Sequence, residues 1–449
     1  MPNNSKVSFE NTANAFEYKN DQQLKKAHFL FSSMGFNWLV NIGTRLTPWA
    51  IKAGLPVKGL IRSTLFDQFV GGETLEQTAK VADMLEKFHV QVILDYGVEG
   101  GDYGEDEKDH ACDEFIKVID YAATQANIPF MSVKVTGVAR FALLEKMDEL
   151  MHKGTGTLIR RYEQALEHLT KEEREEWQHV CNRMEKICST ASAKNIGVLI
   201  DAEETWIQDP VDALTMLMMD QYNKTSAVVY NTAQMYRHDR YQFIHDCFEA
   251  AEQRNFILGI KIVRGAYMEK ERKRAQDMNY ESPIQPDKES SDRDYDAAVQ
   301  FCIQHVDRIA TIVASHNEHS NQLAAELLHS KGLPHNHPHV HFSQLYGMSD
   351  NLSYNLANAG YNVAKYVPYG PVREVMPYLL LTVTNLVAIV LTLGLAYPWA
   401  KVRKAAYLAS VTELLIYPKA DTLVDEQQAD SSAFGEEAAG LFDVDVSLA

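Results

Sequence analysis

Eight short apolar runs end on side chains able to do chemistry. They carry Asp95 in VQVILDY, Lys134 in FMSVKVTG, Asp201 with Glu203 in GVLIDAE, Gln234 in AVVYNTAQ, Lys261 with Arg264 in ILGIKIVRG, His316 in IATIVASH, Gln344 in HVHFSQLYG, and Tyr366 with Tyr369 in NVAKYVPYG. One ionisable group in a buried strand reads equally well as a structural pair, whereas the same position filled in every run reads as a site. Cations there suit a bound anion. A lysine desolvated in an enclosed mouth also becomes nucleophilic, so Lys134 or Lys261 could form the Schiff base of a class I aldolase. No GxGxxG follows a strand, and KGTGT at Lys153 to Thr157 lies outside any strand-turn-helix setting, which leaves it as a loop. The loop LPHNHPHVHF holds His335, His337, His339 and His341, and imidazoles are common metal ligands. Its prolines favour a solvated turn instead, and no metal is expected.

These residues need a scaffold that brings strand ends together. The runs alternate with segments of helical spacing such as YQFIHDCFEAAEQR and NQLAAELLHSK, and strand then helix repeated eight times is the pattern of a (β/α)₈ barrel. Near-continuous apolar strands fit a parallel sheet covered on both faces, with a doubly wound sheet as the alternative. The expected class is α/β, a distorted (β/α)₈ TIM-type barrel whose active site lies at the C-terminal strand ends. Periodicity of three and four up to about Lys87 places a helical N-terminal region at 1–88, with the barrel over 89–378. The charged stretch 138–195 reads as extra helices inserted between the second and third strands. An anomalous segment follows at 379–449.

Composition narrows the partners. A net charge of −18 over 449 residues, with no long Lys/Arg block, argues against nucleic acid. The basic run EKERKRA alternates signs and reads as a solvated helix face. Five cysteines, odd in number and without CxxC, fit a reducing compartment. The first twenty residues show neither a signal nor a transit peptide, so the expected location is cytoplasmic, at the inner face of the membrane if a membrane partner is used.

Taken in order, SVKVTG, IDAEET, VYNTAQMYR, GIKIVRGAYMEKE, VASHNEHS, SQLYGM and YVPYGPVREVMPYL resemble the motifs of the proline dehydrogenase family from about Leu30 to Leu379. That resemblance implies FAD as cofactor, L-proline as substrate, hydride transfer from proline C5 to flavin N5, 1-pyrroline-5-carboxylate as product and a membrane quinone as electron acceptor. It implies a catalytic pair, Asp201 and Lys261. Lys134 would bind the proline carboxylate, while Tyr267, Leu345 and Tyr366 would wall its ring. Ala202, Gln234, Arg264, Gly265, Ala266, Ser315 and His316 would hold the cofactor. Gln234 would meet the isoalloxazine ring, and Lys261 would stand beside N5 where the family carries a basic residue.

Beyond MPYL the sequence departs from that pattern. The family carries two adjacent arginines and a glutamate three residues beyond the second; Leu381, Thr382 and Asn385 stand at those positions. Neither Leu nor Thr replaces a guanidinium. The run from Leu379 to Ala396 is almost long enough to cross a bilayer, yet Thr382, Thr384, Asn385 and Thr392 dilute it. A membrane span, a peripheral membrane contact and a misplaced helix all stay open. The acidic tail and the abrupt loss of resemblance fit a shifted reading frame or a truncated gene. A catalytically impaired homologue is the corresponding alternative function.

Overall fold

A computed structural model describes residues 7–34, 66–97 and 104–370. The chain divides into two compact units, one of Met1–His28 with Leu65–Pro371 and one of Phe29–Thr64 with Val372–Ala449. Apart from residues 29–34 of the second helix, the elements below belong to the first. The apolar segment, Leu381, Thr382, Asn385 and the acidic tail lie outside the described residues.

Helices α1 (Thr12–Phe16), α2 (Asp21–Met34), α3 (Asp67–Phe69) and α4 (Leu75–Glu86) precede the sheet. Then come β1 (Gln91–Tyr96), α5 (Glu105–Ala122) and β2 (Phe130–Val133). Three helices, α6 (Phe141–Lys153), α7 (Leu158–Glu167) and α8 (Lys171–Lys194), separate β2 from β3 (Gly197–Ile200). Beyond these lie α9 (Thr205–Tyr222), β4 (Val229–Gln234), α10 (Arg240–Arg254), β5 (Leu258–Val263), α11 (Met268–Met278) and α12 (Lys288–Gln304). The last elements are β6 (Ile309–Ala314), α13 (Glu318–Ser330), β7 (Val340–Leu345), α14 (Asp350–Asn358) and β8 (Val363–Tyr369). The strands form a closed parallel barrel in sequence order, with β8 pairing back onto β1.

Local chemistry sets the boundaries. At the start of α8, Thr170 accepts from the Glu173 amide while Glu173 returns a bond to the Thr170 amide, closing a capping box. The helix ends at Asn195, whose left-handed conformation turns the chain into β3. Inserted α8 packs on α5, where the buried Arg183 reaches Asp109 and Glu105 at 2.6 Å each. Outside the sheet, α1 and the residues after it dock on α14: Asn14 donates to the Tyr354 carbonyl at 3.0 Å, and Tyr18 stacks on Tyr354 at 4.8 Å.

Strand alternation divides the barrel interior from the layer beneath the helices. Ile93, Phe130, Leu199, Tyr230, Ala310, Ile312 and Ala364 pack together inside. Phe130 meets Tyr230 and His341 edge-on at 5.7 and 4.8 Å. Gly259 makes room for the Tyr230 strand, since a Cβ there would stand 2.2 Å from the Val229 carbonyl oxygen. This apolar plug closes one end of the barrel, so polar side chains of the same parity collect at the other.

Candidate active site

Counting up from the plug in steps of two reaches Asp95 from Ile93, Ser132 and Lys134 from Phe130, Asp201 from Leu199, and Gln234 from Tyr230. The same count gives Lys261 on β5, His316 beyond Ala314, Leu345 on β7 and Tyr366 from Ala364. One parity thus brings residues spread over more than 250 positions to one mouth. At its centre Asp201 receives two partners: the Lys261 ammonium on Oδ1 and the Tyr366 hydroxyl on Oδ2. All three are held inside the protein, and Lys261 also lies 5.3 Å from the Tyr366 ring centroid. Burial foremost, then the charges of Asp201 and Asp95, push the Tyr366 phenol well above its ordinary range, so it stays a donor. Asp201 therefore fixes a cation and a hydroxyl in one geometry.

The loop after β3 is equally constrained. Glu203 accepts from the Thr136 hydroxyl at 2.6 Å and the Thr136 amide at 3.3 Å, and burial lifts its carboxyl to about 7. Glu204 pairs with Lys270 at 2.5 Å, and Glu271 takes both the amide and the hydroxyl of Thr205 at 2.7 Å. These ties hold Ala202 half-buried between two anchored neighbours.

On the β5–β6 side, Arg264 donates to Asp292 at 2.7 Å, to the Ser315 hydroxyl at 2.7 Å and to the Ser320 hydroxyl at 3.0 Å, with its guanidinium over Tyr295. Arg264 and Ser315, both expected at the cofactor, are thus neighbours, while the roles of Asp292 and Ser320 as anchors were not legible. Gly265 adopts φ +127°, and a Cβ there would lie 2.3 Å from the Tyr236 ring. Its small size answers to that aromatic neighbour. Ala266 is exposed and Tyr267 half-buried next to it. His316 is turned to Ser349, whose hydroxyl lies 2.8 Å from Nδ1. Leu345 pairs in register with Tyr366, so both flank the same sector of the mouth. Gln234 is buried, and its Oε1 has no hydrogen-bond partner among the described residues.

Two strand-end residues, Gln344 and Tyr369, and one histidine of the preceding loop motif, His341, do not join the site. Gln344 faces the helix layer, where its amide engages Ser315, Asn321 and Ser353. Tyr369 likewise points outward and packs on Tyr96 at 5.4 Å. His341 enters the apolar plug, where burial lowers its imidazole to about 4. The other loop histidines are occupied separately: His335 stacks on Tyr361 and His339 bonds the Val306 carbonyl at 2.7 Å. His339 precedes β7, which starts at Val340. Ser132 and Thr136 give no signal in the sequence, because a serine or threonine inside an apolar run is silent until its neighbour across the barrel is known.

Together these features define a TIM-type barrel enzyme with an ionised mouth at the C-terminal ends of its strands. The family model described as Proline dehydrogenase matches residues 78–380. Proline dehydrogenase 1, mitochondrial, of Dictyostelium discoideum is 30% identical over 406 residues, covering 84% of this chain and 71% of that one. Carbapenem antibiotics biosynthesis protein CarD of Pectobacterium carotovorum is 32% identical over 323 residues, covering 72% and 79%. In the solved proline utilization A of Bdellovibrio bacteriovorus, 82% of this chain superposes with a TM-score of 0.64 at 16% identity, and the chain spans 40% of that protein. This last likeness concerns the fold. The chain belongs to the proline dehydrogenase family of oxidoreductases. Membership leaves the Schiff-base aldolase reading without support.

A second family model, described as a bacterial protein of unknown function (DUF898), matches residues 372–441. The departure after Leu379 therefore coincides with a match to a different family. Among the described residues no helix is long and apolar enough to cross a membrane.

Proposed function

We propose that this chain oxidises L-proline to 1-pyrroline-5-carboxylate, using FAD as its resident cofactor and a membrane quinone as onward acceptor. The observation that carries the reading is the buried Gln234 carbonyl oxygen, without a hydrogen-bond partner among the described residues, beside the Lys261–Asp201–Tyr366 constellation. A buried acceptor without a donor is costly, and the imide N–H of an isoalloxazine supplies that donor. The residues therefore fit the group. Arg264, Ser315, His316, Gly265 and Ala266 would hold its ribityl and phosphate portion, with Ala202 against the ring. FAD, when bound, supplies a two-electron acceptor.

The chain's own residues do the rest. Lys134 binds the substrate carboxylate at the end of β2. Tyr366, Leu345 and Tyr267 confine the pyrrolidine ring, so that its orientation is fixed before reaction. Asp201 fixes the position of the Lys261 amine, and a cationic group held beside the reacting centre would stabilise charge that develops there. A quinone acceptor puts the enzyme at the cytoplasmic face of a membrane as a peripheral protein.

A second reading, a homologue impaired in proline turnover, is favoured by Leu381, Thr382 and Asn385 and by the change of family from residue 372. Losing a bidentate carboxylate partner costs on the order of 3 kcal/mol, or roughly two powers of ten in affinity. A flavin absorption spectrum of the purified full chain, followed by anaerobic titration with proline, separates the readings. Bleaching only at high proline concentration is the expected result. Absence of flavin overturns the proposal, and flavin that proline never bleaches establishes the impaired homologue.

A further inference from the structure

Oxidising a cyclic secondary amine requires more than a hydride acceptor. At neutral pH the substrate arrives as an ammonium ion, and one N–H proton must leave before the nitrogen lone pair can form the C=N bond. The site needs a base. Lys134 and Lys261 are cations and cannot serve while charged. Among the carboxyls, Asp201 has both oxygens engaged, by Lys261 and by Tyr366. Glu203 also has both engaged, by the hydroxyl and the amide of Thr136.

Asp95 differs. It lies on the interior face of β1, next to β8 and Tyr366, and keeps an accessible edge. Ser132 donates to its Oδ1 at 2.7 Å, and no hydrogen bond reaches Oδ2 among the described residues. We propose that Asp95 is the general base that takes the substrate's ammonium proton through Oδ2. The proton passes from nitrogen to the carboxylate, and the electron pair of that N–H bond becomes the nitrogen lone pair. That pair forms the C=N bond as hydride leaves the adjacent carbon for the two-electron acceptor, a flavin. The Asp95 proton then returns to solvent from the accessible edge of the carboxyl. This role rests on the amine-oxidase reading above.

The surroundings suit it. Asp201 after β3, Lys134 from the end of β2, Lys261 from β5 and Tyr366 from β8 face Asp95, and the outward Tyr369 of β8 also feels its charge. Burial and then the like charge of Asp201 raise the carboxyl above its ordinary range, against the pull of Lys134, Ser132 and Lys261. A base raised toward neutral pH is better matched to an ammonium than an ordinary carboxylate.

The test is the pH dependence of kcat/KM for proline in the flavin-loaded full chain and its Asp95→Asn variant. The wild type should show an acidic limb. The variant should fall about a hundredfold at pH 7. It should recover roughly tenfold per pH unit toward the free-amine pKa, because only unprotonated substrate then reacts. A loss uniform across pH, or a variant within threefold of wild type with the same profile, overturns the proposal. Ser132→Ala, which removes the one hydrogen bond that favours the charged carboxyl, should move the acidic limb to higher pH; an unmoved limb overturns it too. Carboxyl ¹³C NMR of aspartate-labelled protein reads Asp95 without turnover. A signal absent from Asp95→Asn should titrate above the ordinary range, and titration near 4 counts against the base. Wild type that binds flavin but never oxidises proline defeats the functional reading and the base with it. The ratio of variant to wild type judges the base alone.

Discussion

Neighbouring residues of β8, Lys365 and Tyr366, belong to two buried Lys–Asp–Tyr groups of the same composition. Inside the barrel, Lys261 and Tyr366 meet on Asp201. Outside it, Lys365 lies 3.0 Å from Asp350, and Tyr18 donates to Asp350 at 2.6 Å. Lys365 is 1% exposed and also donates to the Met348 carbonyl, so its charge is fully enclosed. Composition and burial do not separate the groups; the side of the sheet does. One faces the mouth, where substrate can reach it. The other lies between β8 and α14 and ties the N-terminal segment to the barrel, which is a structural role.

The largest break in this symmetry is expected at Lys261. Replacing it with Met leaves Asp201 without its cation, and proline-dependent flavin reduction should slow by about a thousandfold, roughly 4 kcal/mol in the barrier. Bound flavin should persist, as stopped-flow absorbance would record. Asp350→Asn should do the reverse. Leaving Lys365 buried and unpaired costs on the order of 3 kcal/mol of folding stability, read from urea unfolding, with turnover per folded molecule unchanged.

The pH dependence of stability should also differ in sign between the two regions. Burial raises the Glu203 carboxyl at the mouth to about 7, so the folded state binds more protons than the unfolded one above the ordinary glutamate range. Its contribution is fully present below about 4.5 and is lost as pH rises through 7, on the order of 3 kcal/mol. Glu203→Gln should flatten that slope. At Asp350 burial alone would raise the carboxyl, but Lys365, Lys19 and the Tyr18 hydrogen bond together hold it below the ordinary range. Its contribution is present above the unfolded aspartate value near 3.9 and disappears as acid passes through the folded one. Urea midpoints across pH for wild type and each variant measure both slopes.

The smallest effect belongs to Gln234. Substitution by Leu removes an acceptor that has no partner among the described residues, so folding stability should hold or rise slightly, while flavin affinity drops about tenfold, near 1.4 kcal/mol. Equilibrium dialysis of flavin decides it. Equal loss of stability and flavin binding would place Gln234 with Asp350 as a structural residue.

The strands were legible because each is a β-branched run bounded by turns, and their alternation with helices leaves few topologies. Period-two spacing also placed Asp95, Asp201, Lys261 and Tyr366 at strand ends. It did not tell which face each end residue takes: Gln344 and Tyr369 looked equal to Leu345 and Tyr366, yet a one-residue offset turns them to the helices. Nor did it reveal the Tyr18 and Asp350 contact, which joins residues 332 apart.

Taken alone, then, the sequence determined the barrel, its eight strands, the family and the stock of ionisable groups at one end. Tertiary structure decided their partners: Asp201 for Lys261 and Tyr366, Asp350 for Lys365, Tyr236 for Gly265, and, among the described residues, Ser132 for Asp95. Side-chain type is local information, but the partner that desolvates, neutralises or leaves open a charge comes from another strand. Only closure of the barrel brings that strand within hydrogen-bonding reach.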